Sequence, residues 1–193
     1  GFGTRLASVW KGPKVLVPVD GVPFLDHVLR WVSGHESVGK IFVALGYKQD
    51  EVVDYIEKMS LPGVLYVRCG TDGATAATVR AAKVVETSDV VVLNGDTLVD
   101  LSLDLAILEH RHGGLDVTSF DHVGPYGVIR HTGVDVYRTQ SIRSTPYERM
   151  SKTRVRGNYP FVDIGTPGGL DLARERLREE ARPLSEPQTE ERP

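Results

Sequence analysis

Three short apolar runs set the rhythm of the chain. Lys40-Ile-Phe-Val-Ala-Leu45 lies between Gly39 and Gly46, Val64-Leu-Tyr-Val67 follows, and Asp89-Val-Val-Val-Leu-Asn94 is β-branched, uninterrupted and stopped by Gly95. Each reads as a buried strand. Around and between them apolar residues recur at helical spacing: Phe24, Val28, Leu29 and Val32; then Val52, Val53 and Ile56; one face of the Ala-rich stretch 75–85; and Leu103, Ile107 and Leu108. Hydrophobic strands alternating with amphipathic helices predict an α/β fold of three layers. Its centre is a mostly parallel, Rossmann-like sheet with helices on both faces. In such sheets ligands bind beyond the carboxyl ends of the strands, which singles out the loops after Leu45, Val67 and Leu93.

Past residue 114 the pattern is weaker. Residues 115–120, 126–130 and 133–137 read as strands, Phe161-Val-Asp163 closes another, and 170–182 reads as a charged helix. No repeat or linker divides the chain, so a single domain over 1–182 is expected, with a Pro- and Glu-rich tail at 183–193 that reads as disordered. At 193 residues and 40% hydrophobic composition the chain can bury a core without staples. The lone cysteine, Cys69, excludes a disulfide scaffold and a cysteine-ligated zinc site. A formal net charge of −3 offers no basic field for a nucleic-acid backbone, so no nucleic-acid partner is expected. No apolar run approaches the roughly 18–20 residues of a membrane span and no signal peptide opens the sequence, so a cytoplasmic location with no membrane partner is expected.

Candidate chemistry gathers at a few points. Gly1-Phe-Gly-Thr-Arg-Leu6 is a glycine-rich turn whose amides can face phosphate oxygens, with Thr4 and Arg5 adding a hydroxyl and a guanidinium. A frayed terminus would look the same. The turn lacks the third glycine of the dinucleotide fingerprint and the Gly-Lys-Ser/Thr of a Walker loop. Lys14, after Pro13, can place a compact charge on a phosphate or stand as a solvated surface lysine. Asn94-Gly95-Asp96 ends the strongest strand, where a carboxylate can hold Mg²⁺ or an Asx turn can merely stop the strand. Asp163 closes a second apolar run ahead of Gly165-Thr-Pro167. Cys69 reads as a small buried hydrophobe. His110 and His112, two apart on a helix, point to different faces, and both are expected to face solvent.

Taken in order, these motifs resemble the sugar-1-phosphate nucleotidylyltransferases. The glycine turn, Pro13-Lys14, Pro18-Val-Asp-Gly-Val-Pro23, Leu45-Gly-Tyr-Lys48, Asp72-Gly73, Asn94-Gly-Asp96, Tyr126-Gly-Val128, Thr132-Gly-Val134 and Asp163-Ile-Gly-Thr-Pro167 carry the likeness, from Gly1 to about Leu177. The closing motif looks most like the branch acting on heptose, mannose or glucose 1-phosphates.

The resemblance implies a nucleotide-diphospho-sugar-transferase fold and Mg²⁺-assisted in-line transfer of a nucleoside monophosphate. The substrates would be an NTP and a sugar 1-phosphate, and the enzyme a homo-oligomer. It implies Arg5 and Lys14 as catalytic cations, and Gly1, Gly3, Thr4, Arg5, Arg68, Gly73 and Asn94 around the nucleotide. Tyr126, Gly127, Thr132 and Gly133 would lie around the sugar, with Asp96 and Asp163 on the metal. Arg68 and Ala74-Thr-Ala76 depart from the family's usual residues and leave the base open. Two rivals keep the same fold: a non-catalytic nucleotide-sugar-binding subunit, and a transferase with a non-sugar acceptor such as phosphocholine. A dinucleotide-dependent oxidoreductase is disfavoured by the missing glycine. The family's Glu-Lys-Pro is absent ahead of Thr132, and Val128-Ile-Arg-His-Thr-Gly133 joins two motifs usually far apart. A strand before Gly1 and a loop near Arg130-His131 are therefore expected to lie outside the given sequence.

Overall fold

The computed structural model describes residues 4–70 and 74–180. A 3-10 turn at Thr4–Leu6 and another at Lys14–Leu16 open the chain. A small hairpin follows, β1 (Pro18–Val19) and β2 (Val22–Pro23). Its two turn residues, Asp20 at φ 50 and Gly21 at φ 80, take the left-handed conformation that an Asp-Gly hairpin turn requires. Next come α1 (Phe24–Ser33), β3 (Ile41–Leu45), α2 (Gln49–Met59), β4 (Val64–Arg68) and α3 (Ala74–Ala82). The second half holds β5 (Asp89–Leu93), β6 (Thr97–Val99), α4 (Leu103–Gly113), β7 (Val117–Val123), β8 (Ile129–Arg138), α5 (Thr139–Ser144), β9 (Lys152–Gly157), β10 (Phe161–Asp163) and α6 (Pro167–Glu180).

The α/β layered architecture is the one the sequence pattern predicts, and its ladders are of both kinds. β3 and β4 pair in parallel across the α2 crossover, while β5, β8, β7 and β9 form one sheet in that order. In it β8 runs antiparallel to β5 and β7, and β9 runs parallel to β7. One face of this sheet presents Val134, Val136 and Phe120 to Leu103 and Ala106 of α4 and to Leu170 and Ala173 of α6, with Val91 and Leu93 against the same core. The other presents Val90, Val92, Val117 and Tyr137 to Ala82 of α3 and Ile142 of α5. α1 uses a single stripe for two jobs. Phe24, Val28 and Val32 enter the main core, and Leu25 and Leu29 pack with α2 and β3.

Several expectations change here. The stretches 126–130 and 133–137 are not separate strands. Pro125–Gly127 is a 3-10 turn, and β8 runs unbroken through Arg130 and His131, which pair with His122 and Asp121. The last helix starts at Pro167, at the Gly165-Thr-Pro167 segment that is expected to begin it, and carries the charged stretch read from 170 onward. His110 does not face solvent. It is 1% exposed, with its Nδ1 3.0 Å from the Thr118 hydroxyl on β7. Residues 183–193, like Gly1, Gly3, Asp72 and Gly73, lie outside the described residues.

Candidate active site

The loop that leaves β5 meets the end of β10. β6 begins one residue after Asp96 and pairs antiparallel with β10, with Thr97 opposite Asp163. The Ile164 amide donates to the Asp96 carbonyl at 3.0 Å. Two aspartates far apart in sequence thus become ladder neighbours, and their positions are fixed by backbone hydrogen bonds rather than by side-chain choice. Asp163 Oδ1 accepts the Gly165 amide at 2.6 Å, which orients the carboxylate.

Two cations join them. Lys14, presented by the second 3-10 turn, donates through Nζ to Asp96 Oδ2, and the two side chains are only 17% and 23% exposed. Arg5 comes from the first turn, anchored by the buried Leu6. A Cβ at Gly165 would lie 2.8 Å from Asp163 Oδ1 and 3.1 Å from Arg5 Nη2, so both groups flank that glycine. Gly169 is equally confined, because its Cβ would collide with the Asp163 carbonyl oxygen. Arg5, Lys14, Asp96 and Asp163, picked out at four separate points of the sequence, therefore converge. Asp96 Oδ1 and Asp163 Oδ2 have no protein partner among the described residues. Two free carboxylate oxygens beside two cations suit a phosphate-rich ligand bound with a divalent ion, since Mg²⁺ takes one or two protein carboxylates and completes its shell with phosphate and water. No group of three or more His, Cys, Asp or Glu is arranged for a metal among the described residues.

The other expected site residues fall in different places. Asn94 joins the site. Its amide donates to the Gly133 carbonyl at 3.0 Å, and a Cβ on Gly133 (φ +81) would sit 2.6 Å from Asn94 Nδ2. Thr4 is exposed on the first turn. Thr132 is a correction. Its hydroxyl is buried, donates to the Phe120 carbonyl at 2.7 Å, and faces the core rather than a sugar. Strand parity is the cause, because Thr132 shares its face with Val134 and Val136. Tyr126 (φ 60) and Gly127 (φ 73) form the tip of the β7–β8 hairpin, where the Tyr126 ring is fully exposed. Arg68 ends β4 with its guanidinium turned to Asp50 of α2 at 2.6 Å.

The motif pattern passed over one polar cluster. Ser119 Oγ donates to Asp135 Oδ1 at 2.5 Å, and His131 Nε2 lies 3.1 Å from the same oxygen. That contact holds the His131 pKa above its ordinary value despite partial burial. Asp121, buried beside them, takes both contacts from Arg154 Nη1, at 3.2 and 3.0 Å. The sequence signal was there, in the polar residues at every second position of 119–121 and 154–156.

These features place the chain in a family of nucleotide-handling transferases. Residues 1–184 match the MobA-like NTP transferase domain, and the chain belongs to that family. It is 30% identical over 130 residues to the bifunctional protein GlmU of Methanococcus maripaludis, across 67% of this chain and 30% of that protein. It is 27% identical over 135 residues to the D-glycero-alpha-D-manno-heptose 1-phosphate guanylyltransferase of Campylobacter jejuni, across 67% of this chain and 59% of that one. The chain thus spans less than a third of GlmU and under two thirds of the guanylyltransferase. HddC from Yersinia pseudotuberculosis, crystallised with GMP-PN, shares the fold at TM-score 0.77 and 22% identity, over 92% of this chain and 96% of that structure.

Proposed function

We propose that the protein transfers a nucleoside monophosphate from an NTP to a sugar 1-phosphate, giving an NDP-sugar and pyrophosphate. The carrying observation is the β6–β10 ladder that brings Asp96 and Asp163 together between Lys14 and Arg5. The relative named as a heptose 1-phosphate guanylyltransferase supports the same class of reaction.

In this reading a phosphate oxygen of the acceptor attacks the α-phosphorus, one P–O bond forms, and the bond to the leaving pyrophosphate breaks. The nucleophile is already anionic near neutral pH, so positioning and charge neutralisation replace a strong general base. Arg5 grips the triphosphate in a bidentate fork, and Lys14, released from Asp96 as substrate enters, moves its charge onto the phosphates. The free oxygens of Asp96 and Asp163 would hold Mg²⁺, whose bound form neutralises charge on the phosphoryl oxygens. Asn94 fixes the β5 loop against Gly133. Gly1, Gly3, Thr4 and Gly73 belong to the nucleotide side, and Tyr126, Gly127 and Gly133 to the acceptor side. Homo-oligomer formation completes the proposal, and a concentration-independent monomer by light scattering would contradict it.

Pyrophosphate release across a panel of the four NTPs and several sugar 1-phosphates tests the function. Release that needs both substrates and yields a mass matching an NDP-sugar is expected. A nucleotide bound without turnover with any acceptor would favour the binding-subunit alternative.

A further inference from the structure

We infer that the polar end of the β5–β8–β7–β9 face is the acceptor pocket, and that Asp135 is its specificity-determining carboxylate for a hydroxyl-rich ring. The inference rests on the transfer reaction proposed above. That face changes character along the strands. Val90, Val92, Val117 and Tyr137 lie under α3 and α5, and toward the carboxyl end of β5 the positions become polar, with Asp135 half-buried and His131 and Arg154 exposed. The patch adjoins the aspartate pair through a short relay. His131 Nδ1 accepts the Gly133 amide at 3.1 Å, and the Gly133 carbonyl accepts the Asn94 amide. It lies on the β8 side of Asn94, whereas Lys14 approaches Asp96 from the turn that packs with β3 and α2.

The patch also has a readable pattern of donors and acceptors. Asp135 commits Oδ1 to both Ser119 and His131 and keeps Oδ2 without a partner among the described residues, with a side chain 21% exposed. Among the described residues Arg154 commits only Nη1, to the buried Asp121, and leaves Nη2 and Nε over at 61% exposure. Ser119 is in register with both Asp135 and Arg154, so the two charged ends stand two ladder spacings apart, about 10 Å at the backbone. An acceptor oxygen on one strand and spare guanidinium donors two strands away are the two kinds of group a pyranose can engage, since its hydroxyls both donate and accept. A quaternary ammonium has no hydroxyl to donate to Asp135 or to accept from Arg154.

The test uses the full chain and two variants, Asp135→Asn and Asp135→Glu. The probes are α-D-glucose, α-D-galactose and α-D-mannose 1-phosphates, with phosphocholine as the contrasting acceptor. Saturation-transfer NMR reports acceptor binding independently of turnover, and circular dichroism checks that each variant is folded. D135N should raise the KM for the best sugar 1-phosphate at least tenfold and leave the NTP KM within twofold. D135E should keep the negative charge and change the ranking among the three sugars. An unchanged sugar KM in both folded variants would overturn the inference, as would preferred binding of phosphocholine. Absence of pyrophosphate release by the parent with every pair would instead contradict the reaction, while the NMR arm would still decide whether the sugar phosphate sits on Asp135.

Discussion

Gly165 is where a single methyl group would do the most damage to the site. It separates Asp163 Oδ1 from Arg5 Nη2, and no Cβ fits without moving one of them. Gly165→Ala should lower kcat by tenfold or more with little change in melting temperature, since a displaced carboxylate costs positioning rather than core packing. Arg5→Lys should fail to restore what Arg5→Ala loses, because an ammonium cannot reproduce the guanidinium fork. Parent-like kinetics for the lysine variant would remove the bidentate contact from the account. Thr132→Val should behave in the opposite way. It leaves the Phe120 carbonyl without its buried donor, which costs about 1–3 kcal/mol, so the urea midpoint should fall while the sugar KM stays put. Carboxylates at strand ends are chemically conspicuous, so the sequence offers Asp96 and Asp163 as candidates, and the β6–β10 ladder brings them to neighbouring positions. Thr132 was misplaced because a motif reports spacing, whereas the strand's period of two decides which face a hydroxyl meets.

At the scale of the element, the last turn of α4 shows how a sound premise can mislead. His110 and His112 do point to different faces, and for that reason one of them had to point inward. His110 lies against β5 and β7 with Nε2 unpaired and 3.8 Å from Asp89 Oδ1. Burial pushes its pKa below the ordinary value of 6.5. A base with a depressed folded pKa leaves the unfolded state holding more protons between the two values, so stability is full above about pH 6.5 and falls as the pH drops below it. His131 has a raised pKa, and its contribution runs the other way, fading as the pH rises through the folded value. Urea midpoints from pH 8 to pH 5 should therefore decline less in His110→Gln than in the parent. Equal slopes would show that His110 is not kept neutral by its surroundings. β8 was the least legible element. Its Thr132-Gly133 irregularity sets three residues against Phe120 alone, and that break in alternation made one strand look like two.

Across the whole molecule, the layered α/β plan was legible because β3, β4 and β5 are apolar runs and α1 and α2 carry clean stripes, although Leu65 and Tyr66 of β4 and Leu108 of α4 are exposed where burial is expected. The smaller pieces β6, β9 and α5 give little sequence signal, because ladder partners remote in the chain rather than local pattern hold the strands, whereas β10 stands out as an apolar run closed by Asp163. One of those weak pieces builds the site, since β6 exists to pair with β10. No helix among the described residues is long and apolar enough to cross a membrane. The outer strand β9 carries Lys152, Arg154 and Arg156, charges that discourage edge-to-edge pairing, so any homo-oligomer is expected to use another surface.

The central claim is that this ladder makes Asp96 and Asp163 a single functional unit. Steady-state pyrophosphate release by the parent, Asp96→Asn, Asp163→Asn and the double variant tests it directly. Each single substitution should reduce kcat about a hundredfold or more, equivalent to about 2.7 kcal/mol, with an unchanged circular dichroism spectrum. The double variant should be little worse than either single one, because residues acting as one unit lose their function once. Near-parent turnover in either single variant, or a double variant whose loss is the product of the two, would contradict the account.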